Sequence, residues 1–115
     1  MGVPSDIVRI VLVRPEEAGN VGAAARVMRN FGLSDLVLVD PRMARPEEGY
    51  KWARGAEDVL EAAARVHDLE EALEGCTAAW ATTRRRGKLR GRYQAPREAA
   101  GEALGLHRSG GRAAW

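Results

Sequence analysis

The chain has 115 residues, 45% of them apolar and 30% charged, with a formal net charge of +2, the mix of one globular domain and not of a disordered chain. No run approaches the roughly 18 apolar residues of a membrane span, the N-terminus lacks a signal-peptide pattern, and the lone Cys76 excludes a disulfide framework or a cysteine-rich zinc site. His67 and His107 carry no metal-ligand spacing, so a soluble, cytoplasmic protein without a bound metal is expected.

Ile7 to Val13 (IVRIVLV) is β-branched and apolar between Pro4 and Pro15, the pattern of a strand buried on both faces. Asn20 to Phe31 follows a helical period. Val21, Ala24, Ala25, Met28 and Phe31 share one face, Arg26, Arg29 and Asn30 lie opposite, and Gly32 stops the helix. Leu36 to Val39 (LVLV) is a second buried strand, closed by Asp40-Pro41. Pro46 to Gly55 predicts a short helix or turn holding Tyr50 and Trp52, and Ala56 to Ala64 a helix with Val59, Leu60 and Ala63 inward. Asp68 is placed to cap a helix that runs to Leu73 and ends at Gly75. Thr77 to Thr82 predicts a third strand, and Pro96 the first turn of a helix to Leu104.

The order β-α-β-α-α-β-loop-α predicts an α/β fold, a parallel Rossmann-like sheet with helices on both faces. Three strands fall short of the five or six (roughly) of an ordinary sheet. Gly105 to Trp115 shows neither helical nor strand period, so residues 105–115 read as an irregular tail behind a domain over residues 1–104. Trp52 and Trp80 are expected in the core or an interface, Cys76 as a small buried residue, and His67 in a structural role.

The charge is unevenly spread. Residues 1–83 hold nine Lys/Arg against fourteen Asp/Glu, whereas residues 84–97 hold Arg84, Arg85, Arg86, Lys88, Arg90, Arg92 and Arg97 with no acid. Such a stretch creates a positive potential suited to phosphate. Gly87, Gly91 and Tyr93 interrupt it, which reads as a loop with one stacking aromatic and points to nucleic acid.

The most specific segment is Ala18 to Gly32 (AGNVGAAARVMRNFG), at the junction of first strand and first helix, where open α/β sheets bind ligands. Gly19, Gly22 and Ala25 imitate a dinucleotide fingerprint, with Asp40 near the position of a ribose-binding acid. Against it, Arg14, Pro15, Glu16 and Glu17 intervene before the glycine, Asn20 and Val21 displace the central glycine, and the two glutamates repel phosphate.

Asn20-Val21-Gly22, Ala25-Arg26 and Asn30-Phe31-Gly32 resemble the first signature of the SpoU (TrmH-like) family of RNA ribose 2′-O-methyltransferases, within the knotted SPOUT class. The segments IVLVRP, LVLVDP, GAEDV and LEEALEGC, then Ala81 to Arg86 and Ala95 to Glu98, resemble its tRNA/rRNA branch, so the likeness covers roughly residues 7–104. It implies methyl transfer from S-adenosylmethionine to a ribose 2′-hydroxyl of RNA, with tRNA favoured over rRNA, and a homodimer in the full-length form. By the same resemblance, Arg26 engages the 2′-hydroxyl and Asn20 serves as the second catalytic residue, able also to cap its helix. Thr82 and Thr83 contribute to the cofactor pocket. Arg84, Arg85, Arg86, Lys88, Arg90 and Arg92 face RNA. Gly22 permits a close backbone approach.

The sequence departs from the family after Leu104: the G-x-E-like segment and the Ser/Asn/Leu-rich segment that build the knot are not found. A truncated SPOUT (α/β knot) sheet with weak or absent cofactor binding by this chain alone is therefore expected. The alternative is a non-catalytic RNA-binding fragment using the Arg84–Arg97 loop, and a third reading is a small nucleotide-binding module.

Overall fold

A computed structural model describes residues 8–82 and 113–115. Their elements run β1 (Val8–Val13), α1 (Ala18–Asn30), β2 (Leu36–Val39), α2 (Glu48–Trp52), α3 (Glu57–Ala62), β3 (Ala64–Val66), α4 (Leu69–Ala72), β4 (Ala78–Ala79) and β5 (Ala113–Ala114). The five strands form one sheet in the order β3-β2-β1-β5-β4, and every neighbouring pair is parallel. The expected α/β architecture is thus observed.

Side-chain alternation explains why β2 is continuously apolar and β1 is so except at Arg9. Ile10 and Leu12 of β1 and Leu36 and Leu38 of β2 pack on one face, against Val21, Ala25 and Met28 of α1 and Ala56 and Val59 of α3. Val11, Val37, Val39 and Val66 pack on the other face, around Ala72 of α4. Both faces are covered, so neither set can be polar. Leu36 and Val59 are the largest fully buried side chains, each contributing about 1.5–3 kcal/mol by burial.

Local signals set the helix ends. Gly32 takes φ +73°, and the amides of Gly32 and Leu33 donate to the carbonyls of Arg29 (3.1 Å) and Met28 (2.8 Å). These are the two bonds of a Schellman motif, closing α1 where the glycine predicted it. Asp68 caps α4 as expected, its carboxylate accepting from the Glu71 amide at 2.9 Å. Arg9, on β1, ties the sheet to α4. Its Nε lies 3.0 Å from Asp35 Oδ2, and its Nη1 donates to the Ala72 and Glu74 carbonyls, each at 3.0 Å, satisfying acceptors at that helix's C-terminal end.

Several expectations are corrected. Residues 64–66 form strand β3, whereas the apolar period places Ala64 in the preceding helix. β3 is a three-residue edge strand with Ala64 and Arg65 exposed, too short and too polar to show a strand period. Ala113–Ala114, expected within an irregular tail, forms β5 between β1 and β4. Two alanines carry no strand preference, and here burial between two neighbours decides the conformation. The third predicted strand shortens to Ala78–Ala79. Phe31, placed on the inner face of the first helix, is 70% exposed, because the chain leaves helical geometry at that residue. The helix expected from Pro96 and the boundary at residue 104 lie outside the described residues.

Candidate functional site

The chain builds β1, β2 and β3 outward in one direction, then returns on the other side of β1 with β4 and β5. The switch point falls between β1 and β5, and in open parallel sheets the carboxyl edge at that point is the ligand site. A crevice of about 560 Å³ opens there, within the range of small-molecule sites. Val11 to Val13 of β1, Ala114 and Trp115 at β5, and the Ala79 to Thr82 segment at β4 form its floor. Asn20 and Val21 of α1 and Leu69 and Leu73 from the α4 region form its walls.

Trp80 and Trp115 meet within it. The Trp80 amide donates to the Ala114 carbonyl at 3.0 Å, and the Trp115 amide to the Arg9 carbonyl at 2.6 Å. The two indoles, brought side by side by the parallel β4–β5 register, stack with centroids 5.1 Å apart and planes 16° from parallel. Among the described residues lining the crevice none is charged, and Asn20 and Thr82 supply its side-chain polar groups beside the two indoles.

At the neighbouring rim, Arg14 and Asp40 follow β1 and β2 directly, and both adopt positive φ, 48° and 44°. Asp40 Oδ2 accepts from Arg42 Nη2 at 2.9 Å and Nε at 3.2 Å, and lies 3.6 Å from Arg14 Nε. The Arg42 hydrogen bonds, with the charges of Arg42, Arg14 and His67, hold the Asp40 carboxyl below its ordinary range against a smaller desolvation effect.

Of the predicted site residues, Asn20 and Thr82 come together at the crevice. Asn20 does not cap α1. It is the third residue of that helix, Glu17 stands at the N-cap without a side-chain bond, and the Asn20 amide donates to the Glu17 carbonyl at 3.1 Å. Arg26 is exposed on α1, outside the crevice lining and about 9 Å further along the helix axis than Asn20. Thr83, Arg84, Arg85, Arg86, Lys88, Arg90 and Arg92 lie outside the described residues. Trp52, expected in a core or interface, is 56% exposed; His67 is exposed and Cys76 half-buried.

Gly22 makes the close approach its sequence position implied, and the structure identifies the partner. A methyl group built there falls inside the envelope of the Gly49 carbonyl and 2.9 Å from its carbon. Gly19 and Gly22 thus seat α2 on α1, a packing role that accounts for both glycines without a pyrophosphate. Sequence reasoning missed Trp115 and the Arg14–Asp40 pair. The available signal was the position of Arg14 and Asp40, each immediately after an apolar run.

The chain's likeness to known proteins agrees with this geometry. The profile of the SpoU rRNA Methylase family matches residues 7–103. The chain is 43% identical over 99 residues to the tRNA (cytidine/uridine/adenosine-2′-O-)-methyltransferase TrmJ of Pseudomonas aeruginosa, covering 86% of this chain and 38% of that protein. A second relative, an uncharacterized tRNA/rRNA methyltransferase of Haemophilus influenzae, is 37% identical over 93 residues, which cover 81% and 38% of the two chains. Among solved structures, TrmJ from Z. mobilis ZM4 is similar with a TM-score of 0.83 and 34% identity, over 98% of this chain and 48% of that one. A methylase family protein from Neisseria gonorrhoeae reaches 0.85 at 33% identity, over 99% and 63%. The chain spans about two fifths of the length of the curated relatives it matches.

Proposed function

The chain belongs to the SpoU rRNA methylase family, and on that premise we propose that it serves S-adenosylmethionine-dependent methylation of a ribose 2′-hydroxyl in tRNA. The observation that carries the reading is the uncharged, mainly apolar crevice at the topological switch point, lined by Asn20 and Thr82. An apolar cleft with few polar groups suits a flat adenosine-type ligand. The described residues therefore fit S-adenosylmethionine, and in this reading Thr82, the adjoining Thr83 and the apolar walls hold it. When bound, that cofactor supplies an electrophilic methyl group on a sulfonium.

The protein's part is to orient the hydroxyl, exclude water and favour loss of its proton. Arg26 cannot act as a base, because a guanidinium stays protonated. It stabilises the negative charge that develops on the ribose oxygen. Its exposed position on α1 has it meet the ribose from the RNA side, while Asn20 orients the reacting region from the crevice wall. Arg84, Arg85, Arg86, Lys88, Arg90 and Arg92 contact RNA phosphates. A homodimer and a cytoplasmic location belong to the same reading.

The test incubates the chain with an unmodified tRNA transcript and methyl-tritiated S-adenosylmethionine. Label in alkali-resistant dinucleotides is expected, lowered about 100- to 1,000-fold in Arg26→Ala, the range for loss of one oxyanion-stabilising group. Undiminished transfer in that variant removes Arg26 from the mechanism. The alternative, RNA binding without transfer, is supported by the acid-free run Arg84–Arg97. It predicts salt-sensitive tRNA retention that is lost on neutralising Arg84–Arg86, with no label transferred.

A further inference from the structure

The glycines that open α1 lie against an aromatic side chain of α2. A Cβ at Gly19 would lie 3.0 Å from Trp52 Cδ1 and 3.1 Å from Nε1, and one at Gly22 would lie 3.1 Å from Trp52 Cβ. The indole is therefore held against the first turns of α1 at its root and along its pyrrole edge. Yet 56% of Trp52 remains exposed, and Tyr50 on the same helix is 43% exposed. Burial does not account for a large ring held so closely and left so open. Lys51 and Arg54, one and two positions from it in the chain, are exposed, and no ion pair involving either is present among the described residues. At the other end of α2, Glu48 is paired with Arg45 at 3.6 Å. Gly19 adjoins Asn20, which lines the crevice.

We propose that Trp52 is a stacking platform for an unpaired nucleobase of the RNA substrate, with Lys51 and Arg54 receiving the adjoining phosphates. This rests on the reading of the chain as acting on RNA. A rigid indole face takes any base, because every base has a π-face, and unstacked bases of single-stranded loops are the usual partners of such rings. The platform lies against the helix that supplies Asn20 and Val21 to the crevice, and outside the crevice lining. It therefore holds a neighbour of the reacting nucleotide.

The test uses the full chain and a tRNA transcript, with binding read by filter retention at several salt concentrations. Trp52→Leu keeps an apolar cover over Gly19 but removes the π-face, and about tenfold weaker binding is expected. Trp52→Phe restores most of it. The salt slope stays unchanged in Trp52→Leu, whereas Lys51→Ala lowers it by about one. Tight retention by Trp52→Leu, equal to that of the unsubstituted chain, overturns the proposal. So does loss of self-association in Trp52→Leu, by sedimentation equilibrium, with tRNA binding intact, since the face is then a contact between copies. No retention by the unsubstituted chain at low salt instead overturns the RNA reading itself. A measurement without substitution guards against a folding defect: saturating tRNA is expected to protect Trp52 from hydroxyl-radical oxidation, and an unprotected Trp52 overturns the platform.

Discussion

Arg14 and Asp40 occupy matching positions, each one residue beyond the paired ends Val13 and Val39 of neighbouring parallel strands, and both turn into left-handed backbone. The Arg14 amide donates to the Val39 carbonyl at 2.7 Å and the Asp40 amide to the Val66 carbonyl at 2.8 Å, so each strand's exit is pinned to the next strand. Aspartate tolerates this region, but arginine enters it at a cost. Substituting an exposed side chain ordinarily changes stability by no more than about 0.5 kcal/mol. At position 14, whose side chain is 73% exposed, Arg14→Val is expected to cost about 2 kcal/mol, because a β-branched residue resists positive φ. Arg14→Gly is expected to stay within about 1 kcal/mol of the parent. Urea denaturation of the two variants checks the contrast; equal losses would show that the backbone is not the cause.

The Asp40 carboxyl is predicted to titrate below the ordinary aspartate range, with the Arg42 hydrogen bonds the leading cause. A carboxyl depressed on folding stabilises the fold above its unfolded value, and that contribution disappears as pH falls through the folded value. Arg42→Ala is therefore expected to raise the Asp40 midpoint, read by carboxyl carbon NMR. The stability difference between parent and variant is expected to be full above the ordinary aspartate range and to close in stronger acid. A difference that persists there would assign Arg42 a role unrelated to this carboxylate.

Gly22→Ala places a methyl group into the backbone of Gly49, an atom that cannot rotate away. Overpacking of this kind costs about 1–3 kcal/mol, despite the gain in helix propensity that alanine brings. Thermal unfolding is expected to show a clear loss for Gly22→Ala, while Ala23→Gly, at an exposed position of the same helix, loses about 1 kcal/mol through propensity alone. A stabilised Gly22→Ala would mean that α2 does not sit on α1 at this distance.

The stack between Trp80 and Trp115 tests whether the last residues belong to the sheet. A double-mutant cycle with leucine at each position is expected to give a coupling of about 1 kcal/mol, the usual value for an aromatic pair. Near-ultraviolet circular dichroism should lose the same signal in either single variant. Zero coupling would place residues 113–115 outside the fold.

Residue pattern made much of this protein legible. Leu36–Val39 is buried on both faces, so its sequence could be nothing but apolar, and Val8–Val13, half-buried up to the exposed Val13, keeps the same pattern except at Arg9. Gly32 and Asp68 perform local tasks, a left-handed exit and a side-chain cap, that depend on a few neighbouring residues. The order of the signature around Asn20 and Arg26 carried the family, because spacing along a chain survives without any knowledge of its folding. What escaped was set by contacts distant in sequence. Ala113–Ala114 becomes a central strand because β1 and β4 flank it, and β3 forms because an edge at β2 was open. Gly19 and Gly22 looked ready to approach a ligand until α2 was seen to occupy the space, and Trp52 is left facing solvent for the same reason. The crevice joins Leu12, Asn20, Leu73, Thr82 and Trp115, residues that share no local pattern and meet only because parallel strands bring their carboxyl ends to one edge.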